Sequence, residues 1–347
     1  MALAEEIGEA DTPKTFKIID AAGREVSFDH LPKRIVVIGQ GPFMPMNLLF
    51  MFREARERLV GYEVKYNGVN LFLPLVDPEF HQKATLGTNP GIEQVAALHP
   101  DLVIMKGTIP KQVVESLRLL GIQAMYLGLE TPEMFFKDVE NLGLVLGNPG
   151  RAREISDYYS HRLDRIAKGL LGVPEEDRPR VLILQYSDRG GKVAFQVSAR
   201  SWMQTIQAET AGGRPVWLQS VHPTDGWTIT NFEQIAAWDP DKIFVLIGFT
   251  KDPDKFIVAL RNDTAWNMLR AVKNNNLYAF PTDISGWGNP EPRWILGMMW
   301  LAKKMHPECF SDLDIKAEVY RYFADLYFLG TDIVTSKIMP SIYLGSE

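Results

Sequence analysis

At 347 residues the chain is longer than one hydrophobic core usually organises, so two domains are expected. Apolar residues make up 46% and charged residues 23%, ordinary for a globular protein, and 37 basic against 43 acidic groups leave a net charge of −6, which argues against nucleic acid as the main partner. Cys309 is the single cysteine, which excludes an intramolecular disulfide and cysteine-ligated zinc or iron–sulfur centres.

No stretch approaches the roughly 18 apolar residues of a membrane span. Residues 1–15 are acidic and rich in small side chains, and read as a flexible lead-in without an apolar signal core. Apolar strands are expected over 16–20 and 25–28, flanking Ala21-Ala22-Gly23-Arg24 as a hairpin turn. Arg34-Ile35-Val36-Val37-Ile38-Gly39 is a continuous apolar run ending in Gly, the mark of a buried parallel strand. Similar runs follow at 102–105, 124–127, 181–184, 243–247 and 277–280, with helical patterns between them, for example over 111–120 and 264–273. Alternation of strand and helix predicts an α/β fold with parallel sheets.

A thirteen-residue element, Ile92-Glu93-Gln94-Val95-Ala96-Ala97-Leu98-His99-Pro100-Asp101-Leu102-Val103-Ile104, recurs 140 residues later, beginning at Phe232-Glu233-Gln234-Ile235, with six identities. Each copy reads as a short helix, a Pro-Asp turn and a buried strand. Two copies so far apart predict two similar lobes with a ligand cleft between them. A long helix over 151–171, with Ile155, Tyr158, Tyr159, Leu163, Ile166 and Leu170 at helical spacing, is the expected single connection. The lobes would then span 16–150 and 172–330, and residues 331–347 form a tail without an assigned role. A single helical link favours modest rather than large hinge motion.

Four stretches together resemble a known family. They are the hairpin leading into Pro32-Lys33-Arg34-Ile35-Val36-Val37, the repeated Glu-Gln-(Val/Ile) helix with its Pro-Asp turn, Ala211-Gly212-Gly213, and Pro292-Arg293-Trp294-Ile295-Leu296-Gly297 continuing to His306-Pro307-Glu308. Their order is similar to that of the helical-backbone periplasmic substrate-binding proteins, which serve ABC importers of iron–siderophore, haem and cobalamin. The resemblance implies a monomeric, extracytoplasmic protein whose leader or lipid anchor is absent from this chain. It implies capture of a metal chelate (siderophore, haem or corrinoid) or another small anionic ligand, and delivery to a membrane permease dimer. Glu93 and Glu233 are then the permease-docking residues, one on each lobe, because matched charges set register and on-rate. The alternative for these carboxylates is helix capping, since Thr230-Asn231-Phe232-Glu233 has a capping-box pattern.

Ligands of α/β sheets lie outside the carboxyl ends of the strands. By that rule the candidate ligand-binding residues are Gln40, Tyr66, Thr108, Tyr186, Arg200, Trp202, Phe249, Trp287 and Arg293. Aromatic rings with a few arginines suit a flat, partly anionic chelate. A small oxyanion such as molybdate is the alternative ligand, and a small-molecule enzyme on the same scaffold the alternative class. No cofactor, metal site or catalytic residue is expected. The six histidines lack metal-ligand spacing, and Gly39-Gln40-Gly41-Pro42 lacks the third glycine of a dinucleotide loop.

Overall fold

The apolar runs become strands, and the strands sort into two sheets. The computed structural model describes residues 15–64, 72–106, 111–188, 193–221, 226–247 and 252–345. Strands β1 (Phe16–Ile19) and β2 (Glu25–Phe28) form the antiparallel N-terminal hairpin, with Phe16 and Phe28 stacked at 4.9 Å. Its turn is fixed by the Asp20 carboxylate, which accepts from the backbone N–H groups of Ala22 and Arg24.

The first sheet comprises β3 (Ile35–Gly39), β4 (Leu59–Glu63), β5 (Ala84–Leu86), β6 (Leu102–Lys106) and β7 (Gln123–Leu127). All are parallel, in the order β5-β4-β3-β6-β7. Both faces are covered. Val36, Val103 and Met105 pack into one apolar layer, and Ile35, Val37, Leu102 and Ile104 into the other. That is why these strands read as unbroken apolar runs rather than alternating ones.

The second sheet comprises β8 (Arg180–Ser187), β9 (Ala194–Ser198), β10 (Arg214–Pro215), β11 (Trp227–Thr230), β12 (Lys242–Leu246) and β13 (Leu277–Ala279). Its order is β11-β9-β8-β12-β13, with β10 beside β8. The core pairings of β8 with β12 and of β12 with β13 are parallel, as expected, but β9 runs antiparallel to both its neighbours. The sequence reading missed β9 and β11 because their residues are largely half-buried and form no continuous apolar run.

The two copies of the repeat lie in separate sheets, leading into β6 and β12, and their equivalence extends beyond the sequence match. His99 and Asp239 occupy the same repeat position and both take positive φ, 47° and 41°. Asp101 accepts from Arg34 N at 2.9 Å, and Asp241 from Arg180 N at 2.8 Å. The Arg34 guanidinium donates to the Leu98 and His99 carbonyls; the Arg180 guanidinium donates to those of Trp238 and Asp239. In each lobe an arginine opening the central strand thus closes off the carbonyl end of the repeated helix, a favourable place for a cation.

The connecting helix spans Pro149–Leu170. Asn148 caps it by accepting from Arg151 N at 2.9 Å, and Pro149 occupies the first turn, where its missing N–H costs nothing. Ile155, Tyr158, Tyr159, Ile166 and Leu170 are buried along one stripe. Beyond this chain connection, the lobes also touch directly. Asn47, on the helix Phe43–Leu49 after β3, donates to Glu291 Oε2 at 2.7 Å, and Tyr327 donates to the Asn47 carbonyl at 3.0 Å. Tyr159 donates to the Pro292 carbonyl at 2.6 Å. One apolar cluster runs through both lobes and the connecting helix.

Two expectations need correction. Residues 264–273 do not form one helix. A 3₁₀ turn, Trp266–Met268, and a short helix, Arg270–Lys273, meet at Leu269, which is extended (φ −67°, ψ 137°). Asp263 starts the first turn by accepting from Ala265 and Trp266, and the break lets Trp266 and Leu269 both point into the core. The tail is also part of the fold. After the helix Ile315–Tyr327 the chain returns to bury Val334 and Ile338, Tyr343 N donates to the Thr282 carbonyl at 2.9 Å, and the Trp300 indole donates to the Leu344 carbonyl at 3.0 Å.

Candidate functional site

Each sheet has one place where the strand order reverses direction. In the first it lies between β3 and β6, in the second between β8 and β12. The carboxyl ends at such a switch point diverge into loops on opposite faces and leave a crevice. In the first lobe this end is formed by Gly39 and Lys106, which are in register, and by Gln40, whose N–H donates to the Lys106 carbonyl at 2.9 Å. Gln40 is exposed, and Gly39 and Gly41 take φ of 106° and 59°, values that favour glycine. Glu63 is buried at the end of β4 and accepts from Gly39 N at 2.7 Å and Asn89 N at 2.8 Å, which fixes the path of both loops.

In the second lobe the switch point is formed by Tyr186, Ser187 and Ile247. Tyr186 is half-buried against Phe256 (4.6 Å) and Phe195 (5.8 Å). Trp202 is half-buried at the start of the helix Met203–Thr210 and meets Trp227 edge-to-face at 5.4 Å; Arg200 beside it is exposed. That helix start is held by Gln204, which donates to the Gly288 carbonyl at 2.7 Å. Tyr66, Thr108 and Phe249 lie outside the described residues.

Arg293 and Trp287 are not placed as expected. Arg293 is fully buried, donating to Asp283 Oδ2 at 2.9 Å and Glu291 Oε2 at 3.2 Å, with Phe72 against its guanidinium face at 4.3 Å. Trp287 is equally buried, with its indole N–H on Asp283 Oδ2 at 3.2 Å. Two carboxyl groups already hold this arginine and Phe72 of the first lobe covers its face, so it is sealed in the interior rather than facing a ligand. Burial pushes the Glu291 carboxyl up, against the opposing pull of Arg293. Sequence reasoning missed this because Asp283 and Asn47 are remote from Arg293 along the chain, and Glu291, only two residues before it, gave no sign that its side chain turns back onto the guanidinium.

Lys106 was also missed. It ends an otherwise apolar strand, is buried, and its ammonium pairs with Glu130. Its signal was the charge at the end of Leu-Val-Ile-Met-Lys, one residue before the loop that was considered.

Glu93 and Glu233 are both exposed, at matching positions in the helices Ile92–Ala96 and Phe232–Trp238. Capping in these helices falls to other side chains. Gln94 accepts from Gly91 N at 2.9 Å, and Asn231 accepts from Gln234 N at 2.8 Å. Among the described residues neither glutamate has a hydrogen-bond or ion-pair partner. Both helices follow the carboxyl end of a strand, β5 and β11, so both carboxylates lie on the same side of their sheets as the switch points. Two surface depressions, ≈ 190 and ≈ 490 Å³, flank the helix Phe232–Trp238, and neither includes Gln40, Lys106, Tyr186 or Ile247. Among the described residues no group of His, Cys, Asp and Glu could hold a metal ion.

A fold of two separate sheets joined by a helix is shared with proteins of known family. Residues 57–284 match the family model described as Periplasmic binding protein. The chain belongs to the periplasmic binding protein family. Its relatives include the molybdate-binding protein MolA of Haemophilus influenzae, 25% identical over 89% of this chain and 90% of that protein. A cobalamin-binding protein of Halobacterium salinarum is 23% identical over 86% of this chain and 76% of that protein. A periplasmic solute binding protein from Veillonella parvula has the same fold, with a TM-score of 0.74, 21% identity and coverage of 94% and 98% of the two chains. In this periplasmic binding protein the Ala211-Gly212-Gly213 motif has a packing reason. A Cβ on Gly212 (φ 86°) would sit 2.7 Å from His306 Nε2, and one on Gly213 2.7 Å from Val181. The start of β8 and the end of the helix Trp294–Met305 approach too closely for a side chain.

Proposed function

We propose that this periplasmic binding protein captures a small anionic ligand in the gap between its lobes and delivers it to an ABC permease through Glu93 and Glu233. The observation that carries the reading is the matched pair of exposed glutamates, one per lobe and without a partner among the described residues, on the side of each sheet where the switch point opens. A two-lobed protein that bridges two subunits needs one anionic contact on each lobe. Gln40, Tyr186, Arg200 and Trp202 are the ligand contacts in this reading, together with the sequence candidates Tyr66, Thr108 and Phe249, which lie outside the described residues. The molybdate-binding relative and the lysine at the first switch point favour an oxyanion of the molybdate type. The cobalamin-binding relative, with the Trp202–Trp227 pair, favours a flat metal complex as the second reading.

Calorimetric titration of the purified protein with molybdate, tungstate, sulfate, ferric tricatecholate, haemin and cyanocobalamin tests this. Micromolar or tighter binding of molybdate and tungstate, without sulfate, supports the oxyanion reading. Binding of haemin or a corrinoid alone supports the second, and turnover of any added compound overturns both.

A further inference from the structure

We propose that Lys106 is the first lobe's direct contact for the anionic group of the ligand, and that Glu130 is the internal counter-ion that holds its ammonium until the ligand arrives. This rests on the reading that an anion occupies the gap between the lobes.

Position comes first. Lys106 is the last residue of β6, beside Gly39 and directly under Gln40, at the point where the first sheet reverses its strand order. Ligands of open α/β sheets lie over that point.

Packing does not call for a charge there. Leu102, Val103, Ile104 and Met105 are completely buried, and a leucine or methionine would extend the same strand. Removing an ammonium from water costs several kcal/mol, and replacing a buried ion pair with apolar residues is often neutral or stabilising. Stability therefore gives no account of the lysine.

The pairing is asymmetric in a way that suits exchange. The side chain of Lys106 is 6% exposed, whereas that of Glu130 is 36% exposed, so the counter-ion is reachable from solvent. An ammonium has three donors, and among the described residues Glu130 is the only acceptor for this one. The nearby Asp138 carboxylate accepts through Oδ2 from Gly128 N at 2.8 Å and Leu129 N at 2.9 Å, while its Oδ1 has no hydrogen-bond partner among the described residues. Its burial pushes its pKa up to about 7, so it is a weak competitor for the lysine. An incoming oxyanion, carboxylate or catecholate can take the ammonium by displacing one partly solvated carboxylate. Lysine's long, flexible stem allows that motion, whereas a bidentate arginine pair would resist it.

The test is titration of wild type, Lys106→Met and Glu130→Gln with molybdate and with ferric tricatecholate, with cyanocobalamin as a ligand of zero net charge. Lys106→Met is expected to weaken whichever anion the wild type binds roughly ten- to hundredfold, the range of one charged hydrogen bond. Its melting temperature should be unchanged or higher. Glu130→Gln, on a partly exposed side chain that keeps the fold, is expected to tighten the same anion and to leave cyanocobalamin unaffected. Unchanged anion affinity in Lys106→Met, or weaker anion affinity in Glu130→Gln, overturns the assignment while leaving the anion reading intact. A wild type that binds neither anion removes both together.

Discussion

Glu291 occupies a sealed space with Arg293, Asp283 and Asn47, walled by Tyr159, Tyr322 and Tyr327. Counted as ions, two carboxylates face one guanidinium. Glu291 Oε1 and Asn47 Oδ1 are both without a hydrogen-bond partner among the described residues, while Asn47 Nδ2 donates to Glu291 Oε2 at 2.7 Å. One proton on Glu291 Oε1, donated to Asn47 Oδ1, would satisfy both atoms and leave Asp283 and Arg293 as a neutral pair. Burial acts in the same direction by raising the Glu291 pKa above its unfolded value. The sign follows: stability from this proton is fully present below the unfolded pKa and is lost as pH rises through the folded one. Glu291→Gln should therefore fold normally and lose less stability than wild type in denaturant melts as pH rises above the ordinary glutamate range. A variant whose pH profile parallels that of wild type would show that Glu291 is ionised. Asp283→Asn, which strands a buried arginine, should cost about 3–5 kcal/mol. On the surface, if Glu93 and Glu233 dock the permease as proposed, reversing both charges with Glu93→Arg and Glu233→Arg should abolish uptake in cells and leave ligand affinity within twofold. Loss of affinity in that double variant would put these carboxylates in the ligand site.

Among the elements, the ones readable in the sequence were those whose pattern is local. β3, β6, β7, β8, β12 and β13 fell within a residue or two at most ends, β8 running three residues beyond its expected end, because strands buried on both faces must be apolar throughout. The repeat announced two sheets because each copy carries its own helix, turn and strand. What failed was non-local. β9 and β11 depend on each other for their pairing, the break at Leu269 depends on where the core lies, and the sealing of Arg293 depends on residues from Phe72 to Phe323. Of the candidate residues, Gln40 and Tyr186 do stand at the switch points, whereas Lys106, two residues before the candidate Thr108, was passed over. The tail was silent in the sequence because its apolar residues follow no single period. In the fold it covers Trp300 and the Thr282 turn, and its Tyr343 hydroxyl reaches Asp254 and is pushed up to about 12 by burial and that carboxylate. Deleting 331–347 removes Val334 and Ile338 from the core, each contributing about 1.5–3 kcal/mol at most. The truncated protein should lose roughly 3 kcal/mol in chemical denaturation, and an unchanged midpoint would show that the tail is dispensable.

At the level of the whole molecule, the lobes are fastened by more than their connecting helix. Asn47–Glu291, Tyr327–Asn47 and Tyr159–Pro292 cross between elements of the two halves, and Arg151 ties the connecting helix to Met51 on one side and to Asp325 and Leu326 on the other. Phe72 from the first lobe packs against Phe323 at 5.6 Å, Tyr327 at 4.7 Å and the Arg293 guanidinium at 4.3 Å. A neutral hydrogen bond contributes about 0.5–1.5 kcal/mol and a charged one about 1.5–3 kcal/mol. Opening the lobes breaks several at once, which puts the open form on the order of 5 kcal/mol above the closed one, about one molecule in several thousand. Ligand binding then has little domain motion to drive, and small-angle scattering of the ligand-free and saturated protein should give the same radius of gyration within error. The shared core makes a second, independent demand. If the lobes cannot separate, neither can they melt separately, so calorimetry should show one transition with equal calorimetric and van't Hoff enthalpies. Asn47→Ala combined with Tyr327→Phe removes two of the crossing bonds while sparing both sheets, and should lower that single transition and broaden it. Two resolved transitions in the wild-type protein would mean that the lobes are independent units and that the contacts across them contribute little.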